Sequence, residues 1–180
     1  MILPPVAAYR DRVTNRAKLV CSNVGVDKDP QIIPYRKVKG AIGGECFENV
    51  RSHIKKFGGE VVDGWAVWEF PPLEVQAEFH SVWETPEGDL VDITPPLHGG
   101  QKTTFLRGAP DEVYEGRNRS AVYLPYDETE IAKRYVELSR RWQELVFPEG
   151  DLQEPTFKMT PEIMQVTMEK AEIFAELGQS

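Results

Sequence analysis

The sequence predicts an α+β domain in which a helix that opens on a cysteine packs against an antiparallel sheet. Three observations carry that prediction. Phe47, Val50, Ile54 and Phe57 recur at spacings of three, four and three, the signature of one apolar helix face. Val61, Val62, Trp65, Val67, Trp68 and Phe70 form a run dense in β-formers that Pro71-Pro72 closes, so residues 60–70 read as a strand. Two further strands, over 77–84 and 89–94, flank Thr85-Pro86-Glu87-Gly88, a turn sequence.

The remaining elements follow in chain order. Val6, Tyr9, Val13 and Ala17 predict an amphipathic helix over residues 5–20, and Gly25, Asp27, Asp29 and Pro30 predict a loop after it. Residues 31–38 make at best a short edge strand, because Pro34 has no N–H to give to a ladder. Gly40, Gly43 and Gly44 then permit a tight approach to Cys46, and Gly58-Gly59 ends the cysteine helix with Lys55 and Lys56 in its last turn. Residues 73–76 read as a connection. From Pro96 to Pro125 the glycines and prolines predict mostly loop, with one strand near 120–124. Asp127, with Glu130 three residues on, opens a helix to about Val146 along Ile131, Tyr135, Leu138, Trp142 and Leu145. Phe147-Pro148-Glu149-Gly150-Asp151 breaks it. Thr160-Pro161 opens a last helix over about 160–178, lined by Ile163, Val166, Ala171, Phe174 and Leu177.

Length and charge set the bounds on function. A chain of 180 residues supports one hydrophobic core, so a single domain over 1–180 is expected, with its centre at 40–96. The net charge of −8, with no dense run of Lys and Arg, argues against a nucleic-acid partner. The first ten residues lack the basic and apolar regions of a secretory signal, and no apolar run approaches membrane-spanning length. A cytoplasmic protein without a membrane association is the expectation. Cys21 and Cys46 are too few for a disulfide framework.

Between Gly43 and Pro96 the chain supplies a thiol at Cys46, an imidazole at His80 and a carboxylate at Asp92. These are a nucleophile, a base and a group that orients the base. At a helix start, backbone N–H groups and the positive end of the dipole favour a thiolate. For His80 and Asp92 to lie directly across an antiparallel pair, Trp83 must pair with Asp89 around a loop of residues 84–88. A two-residue loop at Glu87-Gly88 would pair Trp83 with Asp92 and send His80 and Asp92 to opposite faces. Trp65, Trp68 and Trp83 are candidate walls of an acyl-binding cleft. Cys21, Cys46, His53, His80 and His98 are possible zinc ligands, but none shows C-x2-C or H-x3-H spacing, so no metal or cofactor is expected.

Cys46 at a helix start, Phe79-His80-Ser81-Val82-Trp83, and Leu90-Val91-Asp92-Ile93-Thr94-Pro95 together resemble the transglutaminase-like core of the papain-like superfamily. Gly43-Gly44-Glu45-Cys46-Phe47-Glu48-Asn49 is also similar to the nucleophile motif of arylamine N-acetyltransferases, with Ile42 where that family has arginine. The resemblance implies a papain/transglutaminase-like fold, with Cys46 as nucleophile, His80 as general base and then acid, and Asp92 holding the imidazole tautomer. It implies acyl transfer or hydrolysis of a peptide, amide or thioester through a Cys46 acyl-enzyme. The Cys46 N–H and one further donor would meet the oxyanion. Gly40 stands where papain-like enzymes often carry a glutamine, a departure that bears on proteolysis. The alternative is a catalytically inactive papain-like module that binds a partner through its Trp-rich segment.

Overall fold

In the computed structural model, residues 12–96, 99–116, 119–147 and 158–177 are described. Six strands make one antiparallel sheet: β1 (Gln31–Pro34), β2 (Glu60–Phe70), β3 (Glu74–Glu84), β4 (Leu90–Val91), β5 (Lys102–Arg107) and β6 (Val122–Pro125). Four helices accompany them: α1 (Asn15–Ser22), α2 (Cys46–Phe57), α3 (Glu130–Val146) and α4 (Pro161–Leu177).

The strand order is β1-β5-β2-β3-β4, and the two ends of this path meet. The Asp92 N–H donates to Pro34 O at 2.9 Å and the Arg36 N–H to Asp92 O at 2.8 Å, so the sheet is nearly closed on itself. Strand alternation then divides the side chains between two faces. The inner face carries Ile33, Val62, Val82 and Phe105, and the outer face carries Trp65, Val67, Val75, Ala77, Phe79 and Leu106, covered by Ala17, Val20 and Cys21 of α1.

β2 pairs with β3 along its whole length on one edge. The other edge of β3 is shared: β6 takes residues 74–77 and β4 takes 83–84, which leaves residues 78–82 between them. The opening in this edge frames the candidate site.

Several expectations are corrected. Helix α1 begins at Asn15, after residues 12–14 that are not helical, because Thr14 is extended and its hydroxyl accepts from the Ala17 N–H at 2.9 Å; residues 5–11 lie outside the described residues. β3 starts at Glu74, since residues 74–76, read as a connection, gain ladders from both β2 and β6. β4 ends at Val91, because Asp92 turns to bridge β1. β5 falls in a stretch read as loop, yet it is an interior strand between β1 and β2. On α4, Ala171 is exposed and Ile173 is buried in its place.

The two C-terminal helices pack through Leu73, Tyr135 and Ile173. A buried polar link holds them to the sheet. Ser139 Oγ donates to Glu74 Oε2 at 2.6 Å and accepts from Lys170 Nζ at 2.8 Å, joining β3, α3 and α4. Burial pushes the Glu74 carboxyl up and the Lys170 ammonium down, as it does for any charge withdrawn from water.

Candidate active site

Helix α2 lies on the outer face, with Phe47 against Phe79 at 5.6 Å between ring centroids and Val50 against Trp83, Val91 and Ile93. That seating delivers its first residue, Cys46, to the opening in the β3 edge. Gly44 turns the chain into the helix with φ +84°, where an added Cβ would meet no neighbour within 4 Å. The requirement for glycine there is therefore conformational and not steric. Glu45, at the cap position, makes no side-chain capping bond. The first-turn N–H groups, which have no partner within the helix, point toward the sulfur end.

Asn49 ties this turn to the opposite wall. Its side chain donates to Ile42 O at 2.7 Å and to Thr94 Oγ1 at 3.2 Å, and accepts from the Ile42 N–H at 2.9 Å. The cysteine loop and the chain that follows Asp92 are thus joined by one amide.

His80 sits in the middle of the open edge. Its Nε2 is 3.2 Å from Asp92 Oδ2, and Cys46 stands beside the ring in the same cleft, close enough to act on its titration. The three predicted residues therefore converge. They are buried, at 5 % exposure for Cys46, 9 % for His80 and 4 % for Asp92. Asp92 is held by its backbone to β1 and by its carboxylate to the Thr94 N–H at 2.9 Å and the Thr103 hydroxyl at 2.8 Å.

The register differs from both expected forms. Trp83 pairs with Val91 around a five-residue loop, residues 85–89. The ladder stops at Val91, and Asp92, the next residue, turns to bridge Tyr35. Parity is kept, so His80 and Asp92 share the inner face and meet diagonally.

Electrostatics bind the group together. Burial acts to push the His80 imidazolium down, but the charges of Asp92 and Cys46 and hydrogen bonds to both raise its pKa well above the ordinary 6.5. Burial acts to raise Asp92, and the His80 charge with the bonds from His80, Thr94 and Thr103 outweighs it, so its pKa falls below 3.8. Cys21, by contrast, is a buried thiol under α1, which burial alone pushes up to about 12. Both cysteines are free.

A cleft of about 320 Å³ opens beside the three residues. Trp68 borders it. Trp65 and Trp83 do not: Trp65 is buried in the outer-face core, and the Trp83 indole donates to Gly58 O at 3.0 Å beneath α2. Residues that sequence reasoning missed complete the walls, among them Glu78, Tyr123, Trp142 and Phe147. The signal for Glu78 was parity, two residues from His80 on one strand; α3 and β6 left no local signal that they would cover the cleft.

Among the described residues no three His, Cys, Asp or Glu side chains group as a metal site, and no helix is long and apolar enough to cross a membrane. His98 lies outside them. Comparison with the models of known protein families, with curated proteins and with solved structures finds no match.

Proposed function

We propose that this protein is a thiol-dependent acyl-transfer enzyme or hydrolase of the papain/transglutaminase-like kind, acting on an amide or thioester through a Cys46 acyl-enzyme. The observation that carries the reading is the buried His80 ring with Asp92 Oδ2 3.2 Å from its Nε2 and Cys46 beside it in the same cleft. A buried imidazole flanked by a thiol and a carboxylate is the arrangement that nucleophilic catalysis by sulfur requires.

In the acylation step the Cys46 proton passes to His80 and sulfur attacks the carbonyl carbon. A C–S bond forms, and the carbonyl electron pair moves to oxygen. The tetrahedral oxyanion lies at the mouth of α2, where first-turn N–H groups can donate to it. Collapse breaks the bond to the amine or thiol, which leaves with the His80 proton. In the second step His80 takes a proton from water or an amine, which attacks the thioester carbon. The C–S bond breaks and Cys46 regains its proton. Asp92 keeps the imidazole oriented throughout and offsets its positive charge.

Brief exposure to an activated ester such as p-nitrophenyl acetate, followed by acid quench and peptide mass spectrometry, tests the reading. An acetyl group on Cys46, formed in the wild type and lost in His80→Ala, is the expected result. A protein that hydrolyses no ester and acquires no adduct on Cys46 contradicts it and leaves the inactive binding module.

A further inference from the structure

One charged group in the cleft takes no part in the chemistry just described. Glu78 lies on β3 two residues from His80, on the same face, about 7 Å further along the strand. The residue is exposed, opening onto the cleft, while neighbouring protein crowds its carboxyl closely enough to disfavour the charge. Gln76 Nε2 donates to its Oε1 at 2.9 Å. The cleft it opens onto is lined by the aromatic residues Trp68, Phe70, Tyr123, Trp142 and Phe147.

The charges of the other groups in the cleft are matched. His80 faces Asp92 and Cys46, and Arg119 is turned over the Phe79 ring, 5.4 Å from its centroid, with Glu112 3.9 Å away. The cation that acts on Glu78 is His80, which also faces Asp92 at 3.2 Å. Burial accordingly disfavours the Glu78 anion and pushes its carboxyl up. A carboxylate walled by aromatic rings attracts a cation twice, by charge and through the ring quadrupoles, most strongly where water is excluded.

We propose that Glu78 and the aromatic walls beside it form a subsite for an ammonium group carried by the substrate, a few bonds from the carbonyl that Cys46 attacks. This rests on the acyl-transfer reading for the position of the carbonyl, but the subsite itself needs no chemistry at sulfur. Its test is therefore a binding measurement.

The probes are 4-(trimethylammonio)butanamide and its uncharged carbon isostere 5,5-dimethylhexanamide, titrated calorimetrically into the wild type and Cys46→Ala. The cation should bind at least about tenfold more tightly than the isostere in both proteins. Glu78→Gln, which keeps the shape and loses the charge, should abolish that preference. Trp142→Leu, which keeps an apolar wall and loses the ring, should weaken the cation several-fold and leave the isostere unchanged. Equal binding of the two probes to the wild type, or a preference for the cation that survives in a folded Glu78→Gln, overturns the subsite. If the cation binds selectively while no acyl group ever appears on Cys46, the subsite stands and the acyl-transfer reading fails. Acylation of Cys46 without any cation preference overturns the subsite and leaves the acyl-transfer reading in place.

Discussion

Asp92 meets His80 diagonally across the β3–β4 pair, Oδ2 to Nε2 at 3.2 Å, while its own backbone is bonded to β1 and not to β3. The carboxylate is therefore positioned by the strand that closes the sheet. Whatever holds that closure also holds the tautomer of the His80 imidazole.

Asp92→Asn tests the electrostatic half of this arrangement. The amide keeps the shape and removes the charge that raises His80, so the imidazole should titrate at lower pH than in the wild type, as read from its NMR carbon and proton shifts. Turnover of any ester substrate should drop by about 100-fold or more, because the base loses its orienting charge.

Stability should depend on pH in a direction set by the same pair. His80 has a folded pKa above 6.5, so its contribution is whole below that pH and is lost as pH rises through the folded value. Asp92 has a folded pKa below 3.8, so its contribution is whole above that pH and is lost as pH falls through the folded value. Thermal denaturation across pH should show a plateau between these limits. In His80→Gln the alkaline decline should flatten.

Asn49 acts through its neighbours. Asn49→Ala removes the bonds to Ile42 and Thr94 and should cost about 1–2 kcal/mol in urea unfolding. Because Cys46 and Asp92 then lose their common tether, kcat should fall while KM for a small ester changes little. A variant that is destabilised with unaltered kcat would make Asn49 merely structural.

Gly64 is paired with His80 across β2 and β3. A Cβ there would stand 2.2 Å from Leu106 O and 2.6 Å from the Phe105 ring. Gly64→Ala should therefore destabilise the fold by about 1–3 kcal/mol or more and displace β2 from β5, which hydrogen exchange at the β5 amides would reveal.

Much of this was legible in the sequence, for identifiable reasons. Helix α2 carries its stripe and its terminal lysines within its own twelve residues and its glycine stop immediately after them, and it folds where they indicate. β5 was hidden because Thr103 and Thr104, polar by composition, are buried between two neighbouring strands that local sequence does not reveal. The tryptophans needed parity: Trp65 and Trp68 are three apart on one strand and so face opposite ways, as do His80 and Trp83. Reading that alternation against His80 keeps Glu78 with the imidazole and sends Trp83 beneath α2. The covering of the cleft by Tyr123 and Trp142 arises from tertiary packing alone and left no local mark.

The central claim is that His80 activates the sulfur of Cys46, and alkylation of the native protein by iodoacetamide measures it most directly. At neutral pH the label should enter Cys46 and spare Cys21, whose buried thiol is pushed up to about 12, and His80→Ala should slow labelling of Cys46 by about tenfold or more. Equal rates at Cys46 with and without the imidazole, or labelling of Cys21 at the same pace, would contradict the account.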